Sequence, residues 1–149
     1  LMLAIIGGSP SRFAPYLDLY RRAADQFGTT AYPVGIHSPG FVAKTDAEAR
    51  ELFYPGYNEI HDRIGVERGW PRMHRGNFLN EVEHGSLYVG SPETVARKIA
   101  ESIRTLGVGR FDLIYANAGA VAASARMRAV ELYGTEVIPR VRELLAESK

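Results

Sequence analysis

The chain has 149 residues, 46% hydrophobic and 23% charged, the composition of one globular domain able to bury a sizeable core. Its 18 basic and 17 acidic residues leave a net charge of +1, which argues against nucleic-acid or membrane-surface binding. The absence of cysteine excludes disulfide frameworks, thiolate nucleophiles and cysteine-based metal sites, and suits a reducing cytoplasm. No apolar run approaches the roughly 20 residues of a membrane span, and residues 1–6 lack the basic n-region of a signal peptide.

Taken in order, residues 1–6 are a continuous apolar run bounded by Gly7 and Gly8, the pattern of a fully buried strand. Ser9 and Pro10 then carry an N-cap and first-turn signature. Phe13, Leu17, Tyr20 and Ala24 mark the buried stripe of a helix ending near Gly28. Residues 32–36 form a second apolar run, with Pro33 at its start, and residues 37–40 (HSPG) read as a turn. Thr45 to Glu48 is a capping box opening a helix that Pro55 and Gly56 are expected to interrupt. Residues 56–89, with five glycines and mixed charge, read as an irregular insertion.

Residues 85–119 form the most regular unit. Ser91 and Pro92 cap a helix whose Val95, Ile99 and Ile103 lie on one face, and Gly107 and Gly109 end it. Residues 111–115 (FDLIY) then suit a buried parallel strand that leads to small polar residues. Residues 122–133 are helical, Gly134 is expected to break the helix, and Thr135 opens a last one containing Pro139. Three strands alternating with helices predict an α/β fold with a parallel sheet and right-handed crossovers. Ser9, Thr45 and Ser91 are each expected to cap a helix through their side-chain oxygen.

The segments LMLAIIGGSPSRFAPYLDLYRRAA, VGIHSPGFVAKTDAEARE, GSLYVGSPETVARKI and RFDLIYANAG, the last followed by MRAVELYGTEVIPRVREL, resemble the bacterial luciferase-like flavin-dependent monooxygenases in the same order. The resemblance implies a partial (β/α)8 TIM barrel, the carboxyl-terminal portion carrying about strands six to eight, with outer helices. It also implies a single α/β domain over residues 1–149, and reduced FMN or F420 as cofactor of the complete protein, which oxidises a small organic substrate. A closed barrel needs about 250 residues, so three strands leave open edges and a homo-oligomer is expected. The alternative is a non-catalytic half-barrel packed against a partner or its own copy.

In such enzymes the flavin carries the bond-making chemistry, so no catalytic side chain is assigned. For cofactor contact the resemblance points to the strand ends: Gly7 and Gly8, where the backbone is approachable, Ser9 at a helix start, and Asn117. Each also reads as plain turn or cap chemistry. His37 and Ser38 are candidate substrate contacts, as are Trp70 and Arg75 in the insertion. Arg63, Arg68 and Arg72 crowd the same segment, which reads either as an anion-binding lid or as a solvated loop anchored by Trp70. His61, His74 and His84 lack metal-ligand spacing and read as solvated loop histidines.

Overall fold

The computed structural model describes residues 1–115 and 121–147. Strand β1 (Met2–Ala4) leads through a short 3-10 turn (Pro10–Phe13) into helix α1 (Ala14–Gln26). Strand β2 (Gly35–Val42) is followed by helices α2 (Asp46–Arg68) and α3 (Arg75–Glu83). Strand β3 (Tyr88–Gly90), helix α4 (Pro92–Leu106) and strand β4 (Arg110–Ile114) come next. Helix α5 (Ala123–Leu132), a π-helical turn (Tyr133–Val137) and helix α6 (Ile138–Ala146) close the chain.

Among the described residues all pairing is parallel and centred on β2. Met2 pairs with Gly35 in β1–β2, Gly35 with Arg110 in β2–β4, and Gly40 with Tyr88 in β2–β3. The three expected strands are therefore present as parallel neighbours, joined by a fourth. The turn expected at residues 37–40 is instead the middle of β2. Pro39 is tolerated because its missing N–H falls where the ladders to β1 and β4 end and that to β3 begins. Gly40 is required by the close approach of β3: a Cβ there would lie 2.3 Å from the Tyr88 carbonyl oxygen.

Alternation along β2 separates two cores. Ile36 and Val42 join Ile5, Leu17, Tyr88 and the apolar faces of α4 and α6, which gives the sheet its outer helical layer. Phe41 faces the other way and joins Phe53, Tyr57, Phe78, Leu87 and Val89 under α2 and α3. That second core explains why residues 56–89 are not the irregular insertion that the glycines suggested. Helix α2 runs through Pro55 for 23 residues. An interior proline costs about 3 kcal/mol, a penalty opposed by Phe53 and Tyr57 stacking at 5.4 Å beside Phe78. Similarly, Gly134 does not break the last helices; the chain passes through the π-turn directly before Pro139, whose ring would clash in a regular ladder.

Two of three expected caps are made. Thr45 Oγ1 accepts from Glu48 N–H at 3.1 Å, and Ser91 Oγ from Thr94 N–H at 3.5 Å. Ser9 makes no side-chain cap; its hydroxyl pairs with Ser11 at 2.9 Å, because a four-residue 3-10 turn rather than an α-helix follows it. The fully buried first strand is also corrected. Ile5 is enclosed, but Met2 and Ile6 are exposed, since among the described residues β1 is hydrogen-bonded only to β2.

Candidate functional site

Beyond the carboxyl end of β1 lies a cleft of about 550 Å³. One wall is the inner face of α2, where Tyr57, Ile60, His61 and Ile64 recur at helical spacing. Ile6 and Gly7 from the end of β1 and Pro39 from β2 form the opposite side, with Trp70, Met73, Arg12, Arg68 and Glu81 completing the lining. In parallel α/β folds, ligands bind at this end of the strands.

The helix end shapes the mouth. Gly69, left-handed at φ 68°, terminates α2, and Trp70 N–H donates back to Gly65 O at 3.0 Å. Trp70 therefore folds against its own helix, its ring 5.4 Å from the His61 ring and 5.2 Å beneath the Arg68 guanidinium. The next turn is anchored by Asp62, whose carboxylate accepts from Met73 N–H at 2.9 Å. That bond holds Asp62 below the ordinary carboxylate pKa. His61 Nδ1 lies 3.5 Å from Asp62 but without hydrogen-bond alignment, so this buried nitrogen makes no hydrogen bond. Burial, with the Glu81 charge nearby, pushes the Tyr57 phenol up to about 12, keeping it a neutral donor at physiological pH.

The floor is a polar knot. Gly7 and Gly8 are both left-handed at φ 74°, and Gly8 N–H donates to both Glu81 carboxylate oxygens, at 3.0 and 3.1 Å. Arg12 Nη1 donates to Gly7 O at 3.2 Å. From below, Lys98 Nζ donates to Val82 O at 2.5 Å, Leu87 O at 2.8 Å and Glu81 O at 3.3 Å, which fixes the end of α3 on α4. Burial brings the Lys98 ammonium down to about 8, against the pull of Glu81 and Glu101.

Of the residues singled out in the sequence as candidate contacts, Gly7 and Trp70 meet at this cleft, together with Arg68 of the arginine cluster. Gly8 is adjacent, with its N–H engaged by Glu81. Ser9 faces a different depression, shared with Ser11, His84 and Lys98. His37 lies on the same face of β2 as Pro39, mid-strand and half-buried. Ser38 is fully buried and donates to the carbonyls of Ile5, at 2.8 Å, or Ser86. Arg75 is turned to Glu51 and the Tyr54 ring and does not line the cleft. Asn117 lies outside the described residues.

The α2 wall escaped the sequence reading, and so did Glu81. His61, read as a solvated loop residue, is a mostly buried wall residue. The spacing of residues 57, 60, 61 and 64 was the available signal, hidden by the expected break at Pro55. Among the described residues no group of His, Asp or Glu is placed to hold a metal ion, and no helix is long and apolar enough to cross a membrane.

No family model matches the chain, and no curated protein does. Solved structures do. The monooxygenase RslO1 from Streptomyces bottropensis superposes with a TM-score of 0.71 at 21% identity, over 93% of this chain and 40% of its own. The oxygenating constituent of 3,6-diketocamphane monooxygenase from Pseudomonas putida, a type II Baeyer-Villiger enzyme in complex with FMN, gives 0.65 at 20% identity, over 94% and 42%. The coenzyme F420-dependent tetrahydromethanopterin reductase from Methanopyrus kandleri gives 0.59 at 18%, over 94% and 45%. The chain thus spans about two-fifths of the length of these structures. Its parallel β1–β2–β4 sheet with outer helices superposes on part of each of these structures, and in fold the chain is a partial (β/α)8 barrel.

Proposed function

We propose that this chain is the part of a luciferase-like flavin-dependent monooxygenase or oxidoreductase that walls the flavin and substrate cleft, and that the complete enzyme uses reduced FMN or F420 to oxidise a small organic molecule. The observation that carries the reading is the cleft itself: about 550 Å³ at the carboxyl end of the strands, walled by Ile6, Tyr57, Ile64 and Trp70. Those walls fit a flat ring system. The Gly7 and Gly8 turn fits a phosphate less well, because Gly8 N–H is already engaged by Glu81. Reduced flavin supplies the electrons and reacts with oxygen or the substrate; the chain's own residues position and shield it. Ile60, Ile64 and Met73 keep water from one wall, and Tyr57 offers a neutral hydroxyl. Arg68, stacked on Trp70 at the cleft mouth, supplies positive charge for an anionic group on either ligand.

His37 belongs to the same reading as a substrate-side group on the cleft-facing side of β2, and Asn117, which follows β4 in the sequence, as a polar cofactor contact. A homo-oligomer in the cytoplasm completes it, supported by the exposed apolar residues of β1 and a chain without cysteine.

The test uses Trp70, the single tryptophan, which lies in the cleft. FMN and F420 titrated against the purified chain should quench its fluorescence saturably but weakly, and no turnover is expected. A site assembled from so few strand ends lacks most of the orienting contacts of a full barrel. Quenching that never saturates would sink the assignment of the cleft. One-to-one binding at micromolar affinity or tighter would instead show that further strands are not needed.

A further inference from the structure

Glu81 is held at the cleft floor by several independent features. Its carboxylate accepts from Gly8 N–H with both oxygens, and Oε2 also accepts from Ser86 N–H at 3.3 Å. Gly85 leaves room for it: a Cβ at that position would fall 2.1 Å from Oε2. The main chain of Glu81 is in turn held by Lys98. Beside it, the left-handed Gly7 and Gly8 turn carries the Arg12 guanidinium on its carbonyl. Two main-chain N–H groups and a nearby guanidinium are donors of the kind that receive a ligand phosphate or carboxylate. Here the chain's own carboxylate takes both N–H groups.

We infer that Glu81 is a specificity-determining residue, filling the anion position of the Gly7 and Gly8 turn so that a ligand enters the cleft with an uncharged end toward this turn and its phosphate directed away from it. This rests on the cleft being the ligand site argued above. A phosphate brought to Gly8 N–H has either to displace the carboxylate or to stand beside a like charge, and both weaken its binding.

Inorganic phosphate is the direct probe. It is titrated against the 15N-labelled chain and its Glu81→Ala and Glu81→Gln variants while the amide resonances of Gly8 and Ser86 are followed. In the natural chain neither resonance should move saturably. In Glu81→Ala both should move together and saturate, with phosphate affinity raised at least about tenfold, the scale of one charge-assisted hydrogen bond. Glu81→Gln keeps an acceptor oxygen while losing the charge, and should fall between. Saturable movement in the natural chain overturns the inference. So does a well-dispersed Glu81→Ala spectrum in which the two amides ignore phosphate. If the alanine variant does not fold, the glutamine variant carries the comparison. A through-hydrogen-bond coupling from Gly8 N to the Glu81 carboxyl carbon tests the contact in the natural chain, and its absence removes the premise. A parallel titration compares riboflavin with FMN by Trp70 quenching. A preference for FMN over riboflavin that is no larger in Glu81→Ala than in the natural chain overturns the inference; failure of both flavins to bind overturns the functional reading and leaves the phosphate result to decide the role of Glu81.

Discussion

Asp46 shows how one carboxylate joins distant parts of the chain. It stands in the first turn of α2 and accepts from Ser91 N–H at 2.6 Å and from Thr94 Oγ1 at 3.1 Å, so the starts of α2 and α4 are tied together. Partial burial works to raise its pKa. The Ser91 and Thr94 hydrogen bonds and the Arg50 charge outweigh burial, and the net shift is downward. A carboxyl with a lowered native pKa stabilises the fold above its unfolded value of about 4, and that contribution is lost as pH falls through the native value. The stability difference between the natural chain and Asp46→Asn, read from urea midpoints, should therefore be flat above about pH 5 and shrink below about pH 4. A difference independent of pH would show that the charge is not what matters. At Ser91 itself, replacement by alanine removes the cap on Thr94 N–H and should cost about 1 kcal/mol. An unchanged thermal midpoint would argue against that cap.

Helices α2 and α4 illustrate opposite relations between local signals and outcome. In α4 every signal agrees: Ser91 cap, Pro92 at the first position, an apolar stripe through Ile99, and left-handed Gly107 at the end. The helix follows from its own residues. In α2 the local signals disagree, since Pro55 and Gly56 oppose the helix while the aromatic residues around them favour burial. Strand β2 shows the same tension at Pro39 and Gly40, resolved by a change of pairing partner. Gly40→Ala tests how closely β3 depends on that change. Its methyl would meet the Tyr88 carbonyl oxygen at 2.3 Å, a main-chain atom that does not yield easily, and would also push on the Leu113 side chain. The variant should lose on the order of 3 kcal/mol, the cost of overpacking a tight site, and β3 amides should lose hydrogen-exchange protection first. Full protection at Tyr88 and Val89 would contradict this account of the strand.

On the scale of the whole molecule, the sheet is open. Among the described residues β1 and β4 each pair with β2 alone, leaving one edge of each without a ladder. At the β1 edge Leu1, Met2 and Ile6 are 51%, 40% and 52% exposed, an apolar strip of the kind that folded chains cover. Association in solution is the expected result. Sedimentation at tens of micromolar should show a species larger than the monomer, and Met2→Lys, which charges the strip outside the cleft, should shift it toward monomer. A well-folded monomer at that concentration in the natural chain would refute the expectation. The same openness explains why flavin binding is expected to be weak, because a half-walled cleft leaves ring and phosphate exposed to water.

Reading residues alone was enough for the parallel α/β class, the three long-range strand neighbours, the α4 unit and the caps at Thr45 and Ser91. The strand runs, the α4 unit and the caps are written in short windows by periodicity, capping and buried-strand composition, and the neighbour relation follows from helical crossovers between parallel strands. Tertiary structure alone decided the rest. It carried α2 through Pro55, because only the packed Phe41, Phe53, Tyr57 and Phe78 ring cluster opposes the cost of that proline. It extended β2 across an apparent turn, because β3 was available to pair with Gly40. It enclosed Ser38, turned Arg75 to Glu51, and set Glu81 against Gly8 across 73 positions of sequence. Contacts of that span arise from the path of the chain as a whole, and a short window of sequence carries no mark of them.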